Sequence, residues 1–168
     1  MDFMSFVNNV LVWSNDRGIL EHGTSRKQLY KALSEVGELA DGIAKGSLDE
    51  MADALGDIAV CLVNANALLE APPLLQPVRV QTSDTDRHFS DLLYLLSTAL
   101  CPGQEVLRQG EDKTAVYIGR LFSFALQELH NISECNGLNF FECCETAWHE
   151  IKDRKGYLTA DGVFVKEG

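Results

Sequence analysis

The chain has 168 residues, 46% of them hydrophobic and 23% charged, which is the size and mix of a globular domain and excludes a fibrous or disordered polymer. Its formal net charge of −11 argues against non-specific binding to a nucleic-acid backbone, because that binding depends on lysine and arginine displacing counterions. We therefore expect a single domain over residues 1–168 with no nucleic-acid partner, and any anionic ligand to bind together with a cation.

The cysteines and the apolar segments indicate the expected cellular compartment. The 5 cysteines lack CxxC spacing and no secretory segment precedes them, so we expect unpaired thiols in a reducing compartment. The longest apolar stretch, residues 58–69, is interrupted by Asn64 and Asn66 and falls short of the roughly 20 residues that a membrane span needs. The expected protein is soluble and cytoplasmic, with no membrane partner; if a phage encodes it, the compartment is the host cytoplasm.

The first two predicted helices follow from apolar periodicity and from their capping residues. The first helix covers about residues 2–15. The second begins at Thr24 or Ser25, whose hydroxyl suits an N-cap, and continues to Gly46, which suits a left-handed C-cap. The apolar stripe of the second helix, expected to face the core, consists of Leu29, Leu33, Val36, Ala40 and Ile43.

A third helix follows after a very short turn. The segment Ser47 to Glu50 has the form of a capping box, and the helix continues to about Glu70, where prolines stop it. The second and third helices are therefore expected to form a hairpin. Gly37 and Gly56 lie in the middle of these helices, where each costs roughly 1 kcal/mol relative to alanine, so we expect a close backbone approach at both.

The rest of the chain is expected to complete an all-α helical bundle. A polar, proline-bearing connector follows the hairpin, and the tail over residues 156–166 is predicted to form a short hairpin or extended arm around Ala160-Asp161-Gly162. Further helices are predicted over residues 87–100, 112–135 and 140–155. No partner at a metal-ligand spacing is evident for His22, His88 or His130.

Acidic residues recur along one edge of each helix of the hairpin. The second helix carries Glu35 and Glu38, and the third carries Glu50, Asp53 and Asp57. Like charges at this spacing repel by a few tenths of a kcal/mol per pair. If the two edges meet, the site is therefore expected either to bind cations or to raise the pKa values of its carboxylates. Oxygen ligands on rigid helices suit Mg²⁺ or Mn²⁺. The alternative is a solvated acidic face on which Glu50 only completes the capping box.

The acids are spaced as ExxE, from Glu35 to Glu38, followed by ExxD, from Glu50 to Asp53. This pattern resembles the metal-binding signature of the MazG-like all-α nucleoside triphosphate pyrophosphohydrolases, which include dimeric dUTPases, and the wider sequence is similar to their compact phage-type members. The end of the chain, Ala147 to Gly156 and then Gly162 to Lys166, also resembles those proteins, with His149 at a position where asparagine is expected.

The resemblance implies a site and a reaction. Glu35, Glu38, Glu50 and Asp53 would hold two or three Mg²⁺ or Mn²⁺ ions, with Asp57 as an additional candidate ligand. Glu35 or Glu38 would also be catalytic, orienting the attacking water as general base. The implied reaction is hydrolysis of a (d)NTP to the (d)NMP and pyrophosphate in nucleotide-pool control, with a preference for a purine such as (d)GTP.

Basic and aromatic residues supply candidates for the rest of the substrate. The predicted phosphate-binding residues are Lys31, Lys152, Arg154 and Lys155. Each has an ordinary alternative, an ion pair for Lys31 and a favourable helix-dipole contact for the cations that end the last helix. Asn64 and Trp13 are candidates for binding the nucleoside, although a tryptophan at helical spacing also suits a core.

Relatives of this kind pair hairpins from two chains, so we expect a homodimer or homotetramer whose four-helix core forms on dimerisation. The rival hypothesis is an acidic helical module that binds another protein, or acts as a regulatory dimer, without turnover.

Overall fold

The computed structural model describes residues 1–108, 110–159 and 164–167, and these residues are mostly helical, as the periodicity predicted. The helices are α1 (Phe3–Asp16), α2 (Ile19–His22), α3 (Ser25–Lys45), α4 (Leu48–Ala67), α5 (Thr85–Leu100), α6 (Gln104–Leu107), α7 (Glu111–Cys135) and α8 (Phe140–Ile151). Two short strands, β1 (Gly156–Leu158) and β2 (Phe164–Lys166), pair antiparallel. Among the described residues, no helix combines the length and the apolar character needed to cross a membrane.

The hairpin of α3 and α4 forms through the caps that the sequence predicted. Thr24 accepts the first cap hydrogen bond of α3, from the amide of Lys27 at 3.3 Å, and Ser47 accepts that of α4. Gly46 takes the left-handed conformation, φ 66°, which a glycine adopts without strain, and this reverses the chain within two residues. The two helices therefore lie antiparallel along most of their length.

The α4 helix lies at the centre of the fold and is buried on nearly every side. It packs against α3, α8, α7 and α1, and the side chains of Leu55, Ile58 and Leu62 are fully buried. A closed core therefore forms within one chain. The prediction that a second chain completes a four-helix core stays a prediction.

The buried stripe of α3 differs from the predicted one by about one helical position. Ala32 and Leu39 are fully buried, whereas Leu33, Ala40 and Ile43 are half-buried. The reason is that α4 lies against the line from Leu29 through Val36, so residues on the far flank of the stripe are left partly open.

The glycine prediction holds at Gly56 and is wrong at Gly37. A Cβ at Gly56 would lie 2.6 Å from the carbonyl oxygen of Cys143, so α8 crosses α4 at van der Waals distance from its backbone. No atom of the described residues lies within 4 Å of a Cβ at Gly37. The close approach at Gly56 thus joins α4 to α8, while the hairpin has its own at Gly42, where a Cβ would lie 3.0 Å from the backbone nitrogen of Met51.

Several boundaries differ from the sequence-based prediction. The α5 helix begins at Thr85, two residues early, because Asp84 caps it by accepting from the amide of Arg87 at 3.0 Å. The α8 helix ends at Ile151, not at Lys155. The predicted terminal hairpin is present as β1 and β2, and its expected turn at Ala160-Asp161-Gly162 lies outside the described residues.

Gly56→Ala should destabilise the protein, because its new methyl group would overlap backbone of α8 that cannot move without shifting the helix. We expect the free energy of unfolding to fall by about 1–3 kcal/mol in urea denaturation. Gly37→Ala is the matched control, since its methyl group enters open space, and it should raise stability by roughly 0.5–1 kcal/mol. Equal effects at the two positions would contradict the described packing of α8 on α4.

Candidate functional site

A cleft of about 430 Å³ opens between α3, α4 and the segment that follows α8. Its lining residues are Lys31, Glu35, Glu38, Asp53, Asp57, Glu150, Arg154, Phe164 and Lys166. The hairpin places the acidic edges of α3 and α4 side by side, and the contact of α8 with Gly56 brings Glu150 to the same opening. Five carboxylates and three cationic side chains thus meet in one cleft.

Burial, with repulsion between neighbouring carboxylates, raises the pKa of two acids in the cleft. Burial, followed by the nearby charges of Asp57 and Glu38, raises the pKa of Glu35 to about 7. Burial and the charge of Asp53 raise the pKa of Asp57 to about 6, and Glu150 adds to that effect. Both groups therefore resist ionisation in the metal-free chain, which is the electrostatic condition that a bound cation relieves.

Cationic side chains line the same cleft. Lys31 lowers the pKa of Glu35 and Arg154 lowers that of Asp57, so each faces its carboxylate closely enough to interact. The backbone at Arg154 is held by Arg17, which donates to the carbonyl oxygens of Arg154 at 3.0 Å and Lys152 at 3.2 Å. The Arg17 guanidinium lies over the ring of Trp13 at 4.7 Å. The end of α8 is thereby fastened to α1.

Glu50 lies apart from the inner acids. Its carboxylate accepts from the ammonium of Lys45 at 2.9 Å, and the pKa of Lys45 is raised by that hydrogen bond. It lines a second opening of about 220 Å³, which shares Glu38 and Asp53 with the main cleft. The predicted quartet is therefore spread over two adjoining openings, with Glu38 and Asp53 between them.

The predicted acids are neighbours but their oxygens do not converge on one point. Among the residues described, the group of three metal-ligand side chains whose ligand atoms lie within 4.8 Å of one another is His88, Asp91 and Glu128, elsewhere in the fold. Side-chain rotation in the half-exposed cleft would be needed for Glu35, Glu38 and Asp53 to share an ion. No spacing in the sequence pointed to a partner for His88, and the structure supplies one, Glu128, which is 40 residues away in the chain.

An inner slot of about 80 Å³ continues from the main cleft between α1, α3 and α4. Both predicted nucleoside residues line it: Trp13 packs edge-on against Phe164 at 5.5 Å, and Asn64 accepts from the hydroxyl of Ser14 at 2.6 Å. Gln28 also lines the slot and is 6% exposed, and the indole nitrogen of Trp13 has no hydrogen-bond partner among the described residues. The slot therefore offers polar groups beside apolar side chains, with charged residues of the cleft at its mouth.

The structure separates the predicted phosphate-binding residues into two groups. Lys31 and Arg154 line the cleft, whereas Lys152 and Lys155 are exposed and do not line it. The reason is that α8 ends at Ile151, so the following residues do not continue its face. Lys166 on β2 lines the cleft in their place.

Sequence reasoning missed Glu150 and Lys166 as lining residues of the cleft, and Gln28 in the slot. A signal for Glu150 was available, because it lies three residues after Ala147 and beside Ile151, both on the buried face of α8. Lys166 could not have been found, since the pairing of β2 with β1 brings it back to the cleft. His149, which stands where an asparagine was expected, is exposed and lies outside the cleft lining.

Comparison with known proteins yields one informative similarity. No family model matches the chain, and no solved structure matches it. Over 62 residues, 37% of this chain, it is 37% identical to an uncharacterized 18.2 kDa protein from the rep-hol intergenic region of Haemophilus phage HP1. The match spans 38% of that relative's length. A phage protein is thus similar to part of the chain, and the function has to be argued from the site.

Glu35→Gln should raise the melting temperature of the metal-free protein at pH 8. The substitution removes a charge that its neighbours oppose, and after allowance for solvent screening the gain is of order 1 kcal/mol, or about 2–4 °C. Because the folded pKa lies above the ordinary 4.5, wild type loses this stability as the pH rises from about 4.5 through about 7, so the difference opens over that interval.

The measurement is thermal unfolding in EDTA across that pH range. Glu21→Gln, an exposed acid outside the cleft, is the control and should leave the melting temperature within about 1 °C. A lower melting temperature for Glu35→Gln at pH 8 would mean that the carboxylate is stabilised by its surroundings, contrary to the repulsion described.

Proposed function

We propose that this chain is a Mg²⁺-dependent nucleoside triphosphate pyrophosphohydrolase that converts a (d)NTP to the (d)NMP and pyrophosphate in nucleotide-pool control. The observation that carries the proposal is the meeting of five carboxylates with Lys31, Arg154 and Lys166 in one cleft that continues into a slot lined by Trp13. Such a cleft offers oxygen ligands for a cation and positive charges for an anion within one opening. A merely solvated acidic face would have neither the half-buried Glu35 nor cationic side chains lining the same cleft.

The donor set fits a hard divalent cation. Glu35, Glu38, Asp53 and Asp57 offer only oxygen ligands, and a bound cation would relieve the repulsion that raises the pKa of Glu35 and Asp57. Glu50 would join them after releasing Lys45. When bound, Mg²⁺ or Mn²⁺, in two or three copies, would neutralise phosphate charge and lower the pKa of a coordinated water.

The other side chains of the cleft are assigned two roles, phosphate binding and general-base catalysis. Lys31, Arg154 and Lys166 all line the cleft, and in the proposed reaction they would contact the phosphate oxygens. Glu35, whose pKa lies near neutrality, is suited to take the proton of an attacking water, because a base is most effective when its pKa is close to the working pH. Glu38, which is more exposed, is the companion candidate.

The slot supports a nucleoside at the inner end of the triphosphate. Trp13 supplies an aromatic wall, and Gln28 and Asn64 supply amides able to donate and accept hydrogen bonds with the edge of a base. The proposed preference is a purine, with (d)GTP tested first. The proposal includes a homodimer or homotetramer acting in the cytoplasm, that of the host if a phage encodes it, and the similarity to a phage protein supports that setting.

Incubation of the full chain with Mg²⁺ and each of the eight standard (d)NTPs, followed by chromatography, tests the activity. We expect one monophosphate and an equal amount of pyrophosphate, and Glu38→Gln should slow the reaction by about 100-fold or more without unfolding the protein. Glu21→Gln should leave the rate unchanged. Metal binding without any product would instead indicate a regulatory module, and neither metal binding nor product would indicate an acidic protein-interaction module.

Arg154→Gln and Lys155→Gln form a matched pair that tests the phosphate contact. Only Arg154 lines the cleft, so its substitution should lower kcat/KM by about 10–100-fold, the loss expected for a charge-assisted hydrogen bond. Lys155→Gln should stay within about twofold of wild type. Steady-state kinetics with the best substrate make the comparison, and an equal loss in both variants would count against the described path of the chain after α8.

A further inference from the structure

A second group of metal-ligand side chains lies between α5 and α7, away from the acidic cleft. His88 and Asp91 are one turn apart on α5, and Glu128 faces them from α7. The ligand atoms of the three lie within 4.8 Å of one another, and His88 Nδ1 is 2.6 Å from Glu128 Oε2. His88 is 8% exposed, so this is an interior group with Asp91 at its outer edge.

The side chains of His88, which is buried, and Glu128, which is partly buried, are oriented by further polar contacts. His88 Nε2 lies 2.5 Å from the hydroxyl oxygen of Thr82. Asn131 donates to Glu128 Oε2 at 3.2 Å, and Gln127 in turn donates to the Asn131 amide oxygen at 2.9 Å. Metal-binding histidines and carboxylates are commonly held in this way, by partners behind the ligand atoms that fix ring orientation and tautomer.

We propose that His88, Asp91 and Glu128 form a second metal site, which takes Zn²⁺ or a similar divalent transition-metal ion and joins α5 to α7. One imidazole nitrogen and two carboxylate oxygens suit such an ion better than Mg²⁺, which prefers oxygen ligands throughout. The two carboxylates balance its charge. A water completes the coordination, since three protein ligands leave a position open.

The contacts of His88 are compatible with both the metal-free and the metal-bound chain. Without metal, the 2.6 Å contact between His88 Nδ1 and Glu128 Oε2 holds one proton. A metal on Nδ1 takes the place of that proton, which leaves for solvent if Nε2 is already protonated and moves to Nε2 if it is not, so the metal-bound neutral imidazole would donate from Nε2 to Thr82. The Thr82 hydroxyl can either donate or accept, so the contact survives in both forms.

The geometry requires a small adjustment. Metal–ligand bonds of about 2.0–2.1 Å in a tetrahedral site place neighbouring ligand atoms about 3.3 Å apart, so His88 Nδ1 and Glu128 Oε2 must separate by under about 1 Å. Rotation of the long Glu128 side chain supplies that movement. Arg87 also pairs with Asp91, its Nε lying 3.7 Å from the Asp91 Oδ2 atom. At least half of each side chain is exposed, and exposed ion pairs of this kind are weak, so a metal can displace Arg87.

A simple ion pair between His88 and Glu128 would explain the same short contact, so the experiment has to report on the metal itself. The EDTA-treated full chain, kept in excess Mg²⁺ so that the acidic cleft is filled, is titrated with Co²⁺ as a spectroscopic probe and then with Zn²⁺. We expect one Co²⁺ per chain with visible absorption of low-coordinate cobalt, displaced by Zn²⁺.

Matched variants assign the ligands. Asp91→Asn removes a ligand while leaving the His88–Glu128 contact and the fold in place, and it should weaken binding by about 100-fold or more, whereas Asp86→Asn, an exposed acid of the same helix, should not change it. Thr82→Val should cost about 10–100-fold through the orientation of His88. Glu38→Gln should leave Co²⁺ affinity as in wild type, since its carboxylate belongs to the acidic cleft.

The proposal is overturned if no stoichiometric Co²⁺ binding occurs, if Asp91→Asn binds as tightly as wild type, or if thiolate-to-cobalt absorption shows cysteine among the ligands. The result is independent of the pyrophosphohydrolase proposal. If the chain binds Co²⁺ at this site but does not hydrolyse nucleotides in Mg²⁺, only the pyrophosphohydrolase proposal fails. If it hydrolyses nucleotides but binds no Co²⁺, only the second metal site fails.

Discussion

The contact of α8 with α4 at Gly56 is the constraint on which the site depends. The α4 helix is buried on nearly every side, yet it carries Asp53 and Asp57 to the edge that faces α3. Because the backbone of α8 approaches Gly56 so closely, Glu150 comes within interacting distance of Asp57, and the segment after the helix turns Arg154 toward the same carboxylate. The crossing of α8 over α4 thus determines both how the core packs and which charged side chains meet in the cleft.

The cleft concentrates charge that opposes folding. Burial raises the pKa of Glu35 and Asp57, and neighbouring acids raise both pKa values further. Ionising these carboxylates without a bound cation therefore costs free energy, and the helices that carry them hold them close together. The continuous apolar core around α4 offsets this cost. If the proposed cation binds there, it relieves this repulsion and the relief adds to its affinity, which is a common compromise between stability and function.

Local features were predictable from the sequence and tertiary ones were not. Thr24, Gly46 and Ser47 determine where the helices of the hairpin begin and end through contacts within a few residues, so periodicity and caps were enough to predict them. The pairing of Glu50 with Lys45, and the contact of His88 with Glu128 across 40 residues, depend on side-chain directions and helix packing that no spacing rule encodes. The predicted acids lie close together for a local reason, since a tight hairpin joins their helices.

The position of Trp13 gives the protein a built-in optical reporter. Its indole closes the inner slot, with the guanidinium of Arg17 over the ring at 4.7 Å and Phe164 against its edge at 5.5 Å. Indole emission responds to nearby charge and polarity, and the sequence has only one other tryptophan, Trp148, which is absent from the slot lining. With Trp148 replaced by phenylalanine, occupancy of the slot could be followed by fluorescence without any attached dye.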